Sequence, residues 1–157
     1  MIRIALLLTI VFSSSVVNAQ KPNTQYRIRS AESGMFLATA GAQTKGAPVV
    51  RKSNVSYGGH WFFIKSAKGV QIYNKKHGLY MAAMGQKNQE DPVKLTNTPG
   101  TGSFWTIIPS KNKQSVQIRN NVNRLYIANM GNLPEKTPIK MTARPSTGSW
   151  WYLRNVQ

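Results

Sequence analysis

Between Ile28 and Leu153 the chain says nearly the same thing three times, at offsets of 44 and then 46 residues, and any fold must accommodate that period. The offsets bring together Ile28, Ile72 and Ile118; Phe36, Tyr80 and Tyr126; Ala38, Ala82 and Ala128; and Gly41, Gly85 and Gly131. Pro48, Pro92 and Pro138 correspond, each followed by Val or Ile, and Gly58, Gly102 and Gly148 each stand three positions before a tryptophan. Those tryptophans are Trp61, Trp105 and Trp151. The two extra residues fall in one link, around the lysine-rich Ser110–Gln114 stretch, where a loop can absorb a change of length.

Each repeat reads as short alternating runs punctuated by glycine, proline, asparagine and lysine, the pattern of strands rather than helices. In the first repeat the runs are Tyr26–Arg29, Met35–Ala38, Val49–Lys52 and Trp61–Ile64. Twelve strands follow, with residues 28, 35, 37, 49, 61 and 63 and their counterparts facing a common core. A four-strand unit cannot bury its own apolar face, and closing three units around an axis removes the edges that an open solenoid would leave. A propeller has at least four blades, so the expected fold is all-β, a β-trefoil with pseudo-threefold symmetry.

The first residues lie outside that scaffold. Arg3, the apolar run Ile4–Phe12 and the small residues Val17-Asn18-Ala19 read as a secretory leader, residues 1–19. A membrane anchor is the competing reading, but the run is about half the ~20 residues a span requires. Removal after Ala19 leaves a single trefoil domain of residues 20–157, with repeats at about 26–69, 70–115 and 116–157. There is no cysteine, which excludes disulfides, thiol catalysis and thiolate metal sites. Asn54-Val55-Ser56 is a glycosylation sequon if the source cell uses one.

The second strand of the Ser-Gly-Met-Phe-Leu-Ala type, the Gly-x-Pro-Val third strand and the glycine three before tryptophan resemble the ricin B-chain-like lectin trefoils, from Tyr26 to the end. The resemblance implies a lectin fold, and it also locates what is missing. An aspartate that grips sugar hydroxyls in that family falls on Ala38, Ala82 and Ala128. The third-strand glutamine falls on Val50, Lys94 and Lys140, an aromatic platform on Lys52, Thr96 and Thr142, and the glutamine of the Gln-x-Trp signature on Gly59, Ser103 and Ser149. A neutral-sugar pocket needs both polar grips and an aromatic face, so it is expected to be erased in all three repeats.

In its place the sequence offers cations beside rings. Tyr80 with Lys94, and Tyr126 with Lys140, alternate outward on neighbouring strands, with Gln86 or Asn132 on the adjoining glycine turn; Lys52 and Trp150 complete the candidate ligand-binding set. Trp150 precedes the core Trp151 and is expected to face the other way, to stack on a sugar or base or to pack beneath the chain end. The competing reading of these residues is a set of solvated strand faces. The formal charge is +17, and losing Arg3 with the leader leaves +16, against only Glu32, Glu90, Asp91 and Glu135. Such self-repulsion suits a polyanionic partner: acidic or sulfated glycan, an anionic cell surface, or nucleic acid without sequence preference. Basic residues are spread along the chain as Arg27/Arg29, Arg51/Lys52, Lys75/Lys76, Lys111/Lys113 and Arg119/Arg124, so no compact helical nucleic-acid reader is suggested.

Catalysis has little to draw on. The four carboxylates lie in turns and set up no pair facing across a cleft, and His60 and His77, the only histidines, read as a packed or surface ring and a turn residue. No metal, cofactor or phosphate loop is implied. The expected protein is a secreted, extracellular, monomeric, non-enzymatic binding module. The alternatives are a trefoil-type protease inhibitor acting through the 110–114 loop, and a toxin or antimicrobial accessory subunit.

Overall fold

The computed structural model describes residues 24–39, 41, 44–85 and 88–156; the expected leader and Gln86 lie outside them. The strands are β1 (Gln25–Ser30), β2 (Phe36–Ala38), β3 (Val50–Lys52), β4 (Trp61–Ser66), β5 (Gly69–Asn74) and β6 (Leu79–Ala82). They continue as β7 (Lys94–Thr96), β8 (Trp105–Pro109), β9 (Val116–Asn120), β10 (Tyr126–Ala128), β11 (Lys140–Thr142) and β12 (Trp151–Asn155). A 3-10 turn enters the fourth strand of every repeat, at Tyr57–Gly59, Thr101–Ser103 and Thr147–Ser149.

Six strands close a barrel in the order β1-β4-β5-β8-β9-β12, with β12 returning antiparallel to β1. The other six form the hairpins β2–β3, β6–β7 and β10–β11. These meet through a ring of backbone bonds: the Val49 N–H donates to Val93 O, Val93 N–H to Ile139 O and Ile139 N–H to Val49 O, each 2.8 Å long. This is the β-trefoil expected from the period.

The repeated residues build the core. Trp61, Trp105 and Trp151 are fully buried, and each indole N–H donates to the carbonyl of the residue 24 positions earlier: Leu37 at 2.9 Å, Met81 at 3.2 Å and Ile127 at 3.2 Å. Aromatic bulk is thereby buried without orphaning its polar atom. Three of the expected core positions are shallower: Ile107 and Leu153 pack against the margin of the core, and Met35, in the turn that enters β2, is half-buried.

Polar plugs fix the turn after the first strand of each repeat. The Asn74 carboxamide accepts the His77 N–H at 3.0 Å and donates to the carbonyls of Tyr57 (3.0 Å) and His60 (2.9 Å). Asn120 does the same for Val122, Asn123, Gly102 and Phe104, and Ser30 accepts the N–H groups of Glu32 and Ser33. These turns close at a left-handed residue, Gly34 (φ 73°), Gly78 (φ 66°) or Arg124 (φ 64°).

Candidate functional site

The hairpin of each repeat is stitched to the next at equivalent positions. The Gly46 N–H donates to Leu95 O (2.8 Å), Glu90 N–H to Met141 O (2.7 Å) and Lys136 N–H to Arg51 O (2.9 Å). Two of these junctions also carry an ion pair, Lys140 with Glu90 at 3.6 Å and Lys52 with Glu135 at 3.7 Å. Glu135 further accepts both the hydroxyl and the N–H of Ser53, and these bonds, with Lys52 adding to them, hold its carboxyl below the usual range. At the third junction Gly46 stands where Glu90 stands, and Lys45 takes the place of Gln89 and Glu135. Lys94, the counterpart of Lys140, faces this junction with no carboxylate partner among the described residues.

The same hairpin has the most aromatic face. In β6, Tyr80 lies opposite Tyr73 on one side and Thr96 on the other, and the next pair outward on that face is Ala82 with Lys94. Cross-strand neighbours share a face, so the rings of Tyr73 and Tyr80 meet 4.6 Å apart, and Lys94 lies one pair further along that face from Tyr80. In the third repeat the Arg119 guanidinium lies 6.0 Å from the centre of the Tyr126 ring, and Lys140 is held by Glu90. Asn132 is exposed on the Gly131 turn. Trp150 is half-buried, its N–H bonded to Thr147 O and its carbonyl to the Ala31 N–H. The structure thus groups Tyr80 with Lys94 and Tyr126 with Lys140, while Lys52 belongs to the junction between the first and third repeats.

Residues 12–96 match the ricin-type β-trefoil lectin domain-like family, more than half of the chain. The chain belongs to that family. Among solved structures, this ricin-type trefoil is similar to the Rhizoctonia solani agglutinin, with a TM-score of 0.75 and 17% identity over 86% of this chain and 96% of that one. It is similar also to the Macrolepiota procera ricin B-like lectin solved in complex with lactose (TM-score 0.72, 15% identity, 85% and 96% covered). An exo-β-1,3-galactanase from Clostridium thermocellum matches at TM-score 0.76 and 19% identity over 88% of this chain, which spans 31% of that enzyme. Comparison with curated protein sequences gives no match.

Within this ricin-type trefoil the second-strand alanines are closed off as well as non-polar. Ala38, Ala82 and Ala128 are 4%, 2% and 2% exposed, because the residue after each, Thr39, Ala83 or Asn129, bonds through its N–H to the glycine carbonyl of a 3-10 turn. Ser103 and Ser149 are buried, as are Thr96 and Thr142. Ser149 accepts from the Gln117 carboxamide (3.3 Å) and donates to Ser146 O (2.7 Å), so it serves the scaffold.

One of the basic residues lies inside the fold. Arg51 is 1% exposed, at a position where the other repeats place the buried Leu95 and Met141. Its guanidinium donates to Gly131 O (2.9 Å) and Asn129 O, clamping the first repeat to the third. Burial lowers its pKa and nearby Glu32 partly offsets this; a guanidinium so shifted remains a cation. Glu32 itself accepts from the Asn129 carboxamide and the Thr147 hydroxyl, both at 3.2 Å. The misfit of arginine among leucine and methionine was readable in the aligned repeats.

Sequence reasoning also missed a second polar contact. His60 is buried, and its Nε2 accepts from the Arg27 Nε–H at 3.2 Å. The ring is therefore neutral, with burial and then Arg27 pulling its pKa below 6.5. It meets Tyr57 edge-on at 5.7 Å, and Tyr57 is 66% exposed.

Proposed function

We propose that this protein is a secreted, monomeric, non-enzymatic module that binds acidic or sulfated glycans, with Tyr73, Tyr80 and Lys94 as its principal site. One observation carries the reading: two of three equivalent junctions are neutralised from within, and the third presents Lys45 and Lys94 beside two packed tyrosines. An external sulfate or carboxylate supplies the missing partner, and a sugar ring lies against the aromatic edge. The closed alanine positions support an anionic rather than a neutral ligand. The non-enzymatic reading is supported by the carboxylates, each of which is engaged by the fold: Glu32 by Asn129 and Thr147, Glu90 by Lys140, Glu135 by Ser53 and Lys52, and Asp91 by the Asn88 N–H.

The Ser110–Gln114 segment closes on itself, with Lys113 N–H on Ser110 O (2.9 Å), Gln114 N–H on the Asn112 carboxamide (3.2 Å) and Lys113 at φ 58°. Recognition by strand addition uses an extended segment, so this turn does not favour the inhibitor alternative. The test is retention on a heparin matrix. Lys94→Gln and Tyr80→Ala should each elute at distinctly lower salt than the wild type, whereas Lys140→Gln, whose lysine is already paired, should shift less. Equal shifts for Lys94→Gln and Lys140→Gln would defeat the site assignment.

A further inference from the structure

The outer face of the β1–β12 pair breaks the threefold pattern. Between the first and second repeats Ile64 lies opposite Gln71, and between the second and third Ile108 lies opposite Gln117, an apolar residue beside a neutral amide both times. The corresponding pair between the third and first repeats is Arg27 opposite Arg154, with Arg29 opposite Tyr152 on the same face. Like charges directly opposed across a ladder are destabilising. None of the three arginines has a carboxylate partner among the described residues.

The three side chains are nevertheless held. Arg27 spends its Nε–H on His60 and Arg29 its Nε–H on Gly34 O at 2.9 Å, so their terminal nitrogens are left to other partners. The Arg154 guanidinium lies 5.2 Å from the centre of the Tyr152 ring, and Gln114, Tyr152, Leu153 and Arg154 line a depression beside it. From Arg27 the contacts run through His60 to the exposed ring of Tyr57, which has the Lys76 ammonium 6.0 Å from its centre.

We propose that Arg27, Arg29 and Arg154 form a second, oxyanion-binding site, which takes the sulfate groups of a glycan chain whose sugar ring reaches Tyr57. Guanidinium forks match the geometry of sulfate, and fixing Nε in advance lowers the cost of orienting them. Arginines left opposed on a strand pair lose their repulsion once an anion bridges them. Single-stranded nucleic acid is the less favoured occupant, because it needs successive open aromatic faces. Here the Tyr152 ring is covered by Arg154 and His60 is buried, leaving Tyr57 as the open one. The glycan identity rests on the function proposed above; the oxyanion site does not.

The double variant Arg27→Gln/Arg154→Ile installs the pair that the other repeats already use, so it should fold. A matched control, Lys65→Gln/Lys68→Gln, removes the same charge from exposed positions. Titration with a heparin-derived hexasaccharide at low salt should show about a tenfold loss of affinity for the arginine variant and a much smaller loss for the control. Equal losses would reduce the site to diffuse charge and overturn it. A wild type that ignores the hexasaccharide would sink the glycan reading, and thermal unfolding in millimolar inorganic sulfate then judges the arginines alone. Sulfate should raise the melting temperature of the wild type more than that of the arginine variant, and identical rises would overturn the site. Tighter binding of a single-stranded oligonucleotide than of the hexasaccharide would overturn the proposed occupant.

Discussion

The inside of the barrel and its rim obey different rules. At the positions of Trp61, Trp105 and Trp151 the three repeats agree in residue, burial and hydrogen bond. At the positions of Lys45, Gln89 and Glu135, or of Arg27, Gln71 and Gln117, they disagree in charge. Packing around a shared axis makes the same demand on each repeat, whereas nothing in closing a barrel requires the outer faces to match. The disagreements are therefore where chemistry specific to this protein is to be sought. They are of two kinds: Arg51 breaks symmetry inside and donates from both terminal nitrogens to carbonyls, whereas Lys94 and the Arg27/Arg154 pair break it outside and have no carboxylate partner among the described residues.

The largest effect should come from breaking the symmetric set. Trp105→Ala should cost about 3–5 kcal/mol in denaturant unfolding, and Trp61→Ala or Trp151→Ala a similar amount. Markedly unequal costs would show that the repeats do not share the load. Replacing Arg51 with methionine, the residue of the third repeat, should cost about 1–3 kcal/mol, because the buried Asn129 carbonyl loses its donor, whereas Gly131 O keeps the Asn129 carboxamide and the Leu133 N–H. A stabilising Arg51→Met would mean that water or a shift of the loop replaces the clamp.

His60 gives the comparison a pH dependence. Its pKa in the fold lies below the 6.5 of a free imidazole, so the unfolded chain binds the proton more readily. Its contribution is present in full above about pH 6.5, is lost as pH falls from there through the depressed folded value, and then levels off. Unfolding measured from pH 7.5 downward should show this slope, and His60→Phe, which copies Phe104, should flatten it. The smallest effect belongs to the turns: Arg124→Gly, copying Gly34 and Gly78 at the same left-handed position, should stabilise by no more than about 1 kcal/mol. A clear loss would show that the Arg124 side chain contributes beyond its backbone.

The fold was legible because its cause is periodic. Identical apolar residues at fixed offsets imply equivalent environments, and Val49, Val93 and Ile139 do meet in one ring of hydrogen bonds. Single-residue events were harder to read. Arg51 looks like the surface cation Lys52 beside it, and its alignment with Leu95 and Met141 and its inward alternation, opposite Leu37, are what mark its burial. The pairing of Lys140 with Glu90 depends on contact between different repeats, and the opposition of Arg27 to Arg154 on a register between the ends of the chain. Such long-range pairings leave no local signature. Tyr80 and Lys94 could be named from alternation, but the ring of Tyr73 beside them follows only from the β5–β6 register.

We propose that recognition by this chain rests on the cationic positions of its rim that lack a carboxylate partner among the described residues, and not on a hydroxyl-gripping pocket. Titration of the wild type with lactose and with a sulfated lactose, each at low and at physiological salt, tests it most directly. The account predicts binding of the sulfated sugar that weakens steeply as salt rises, and no measurable binding of lactose. Salt-insensitive binding of lactose would contradict it.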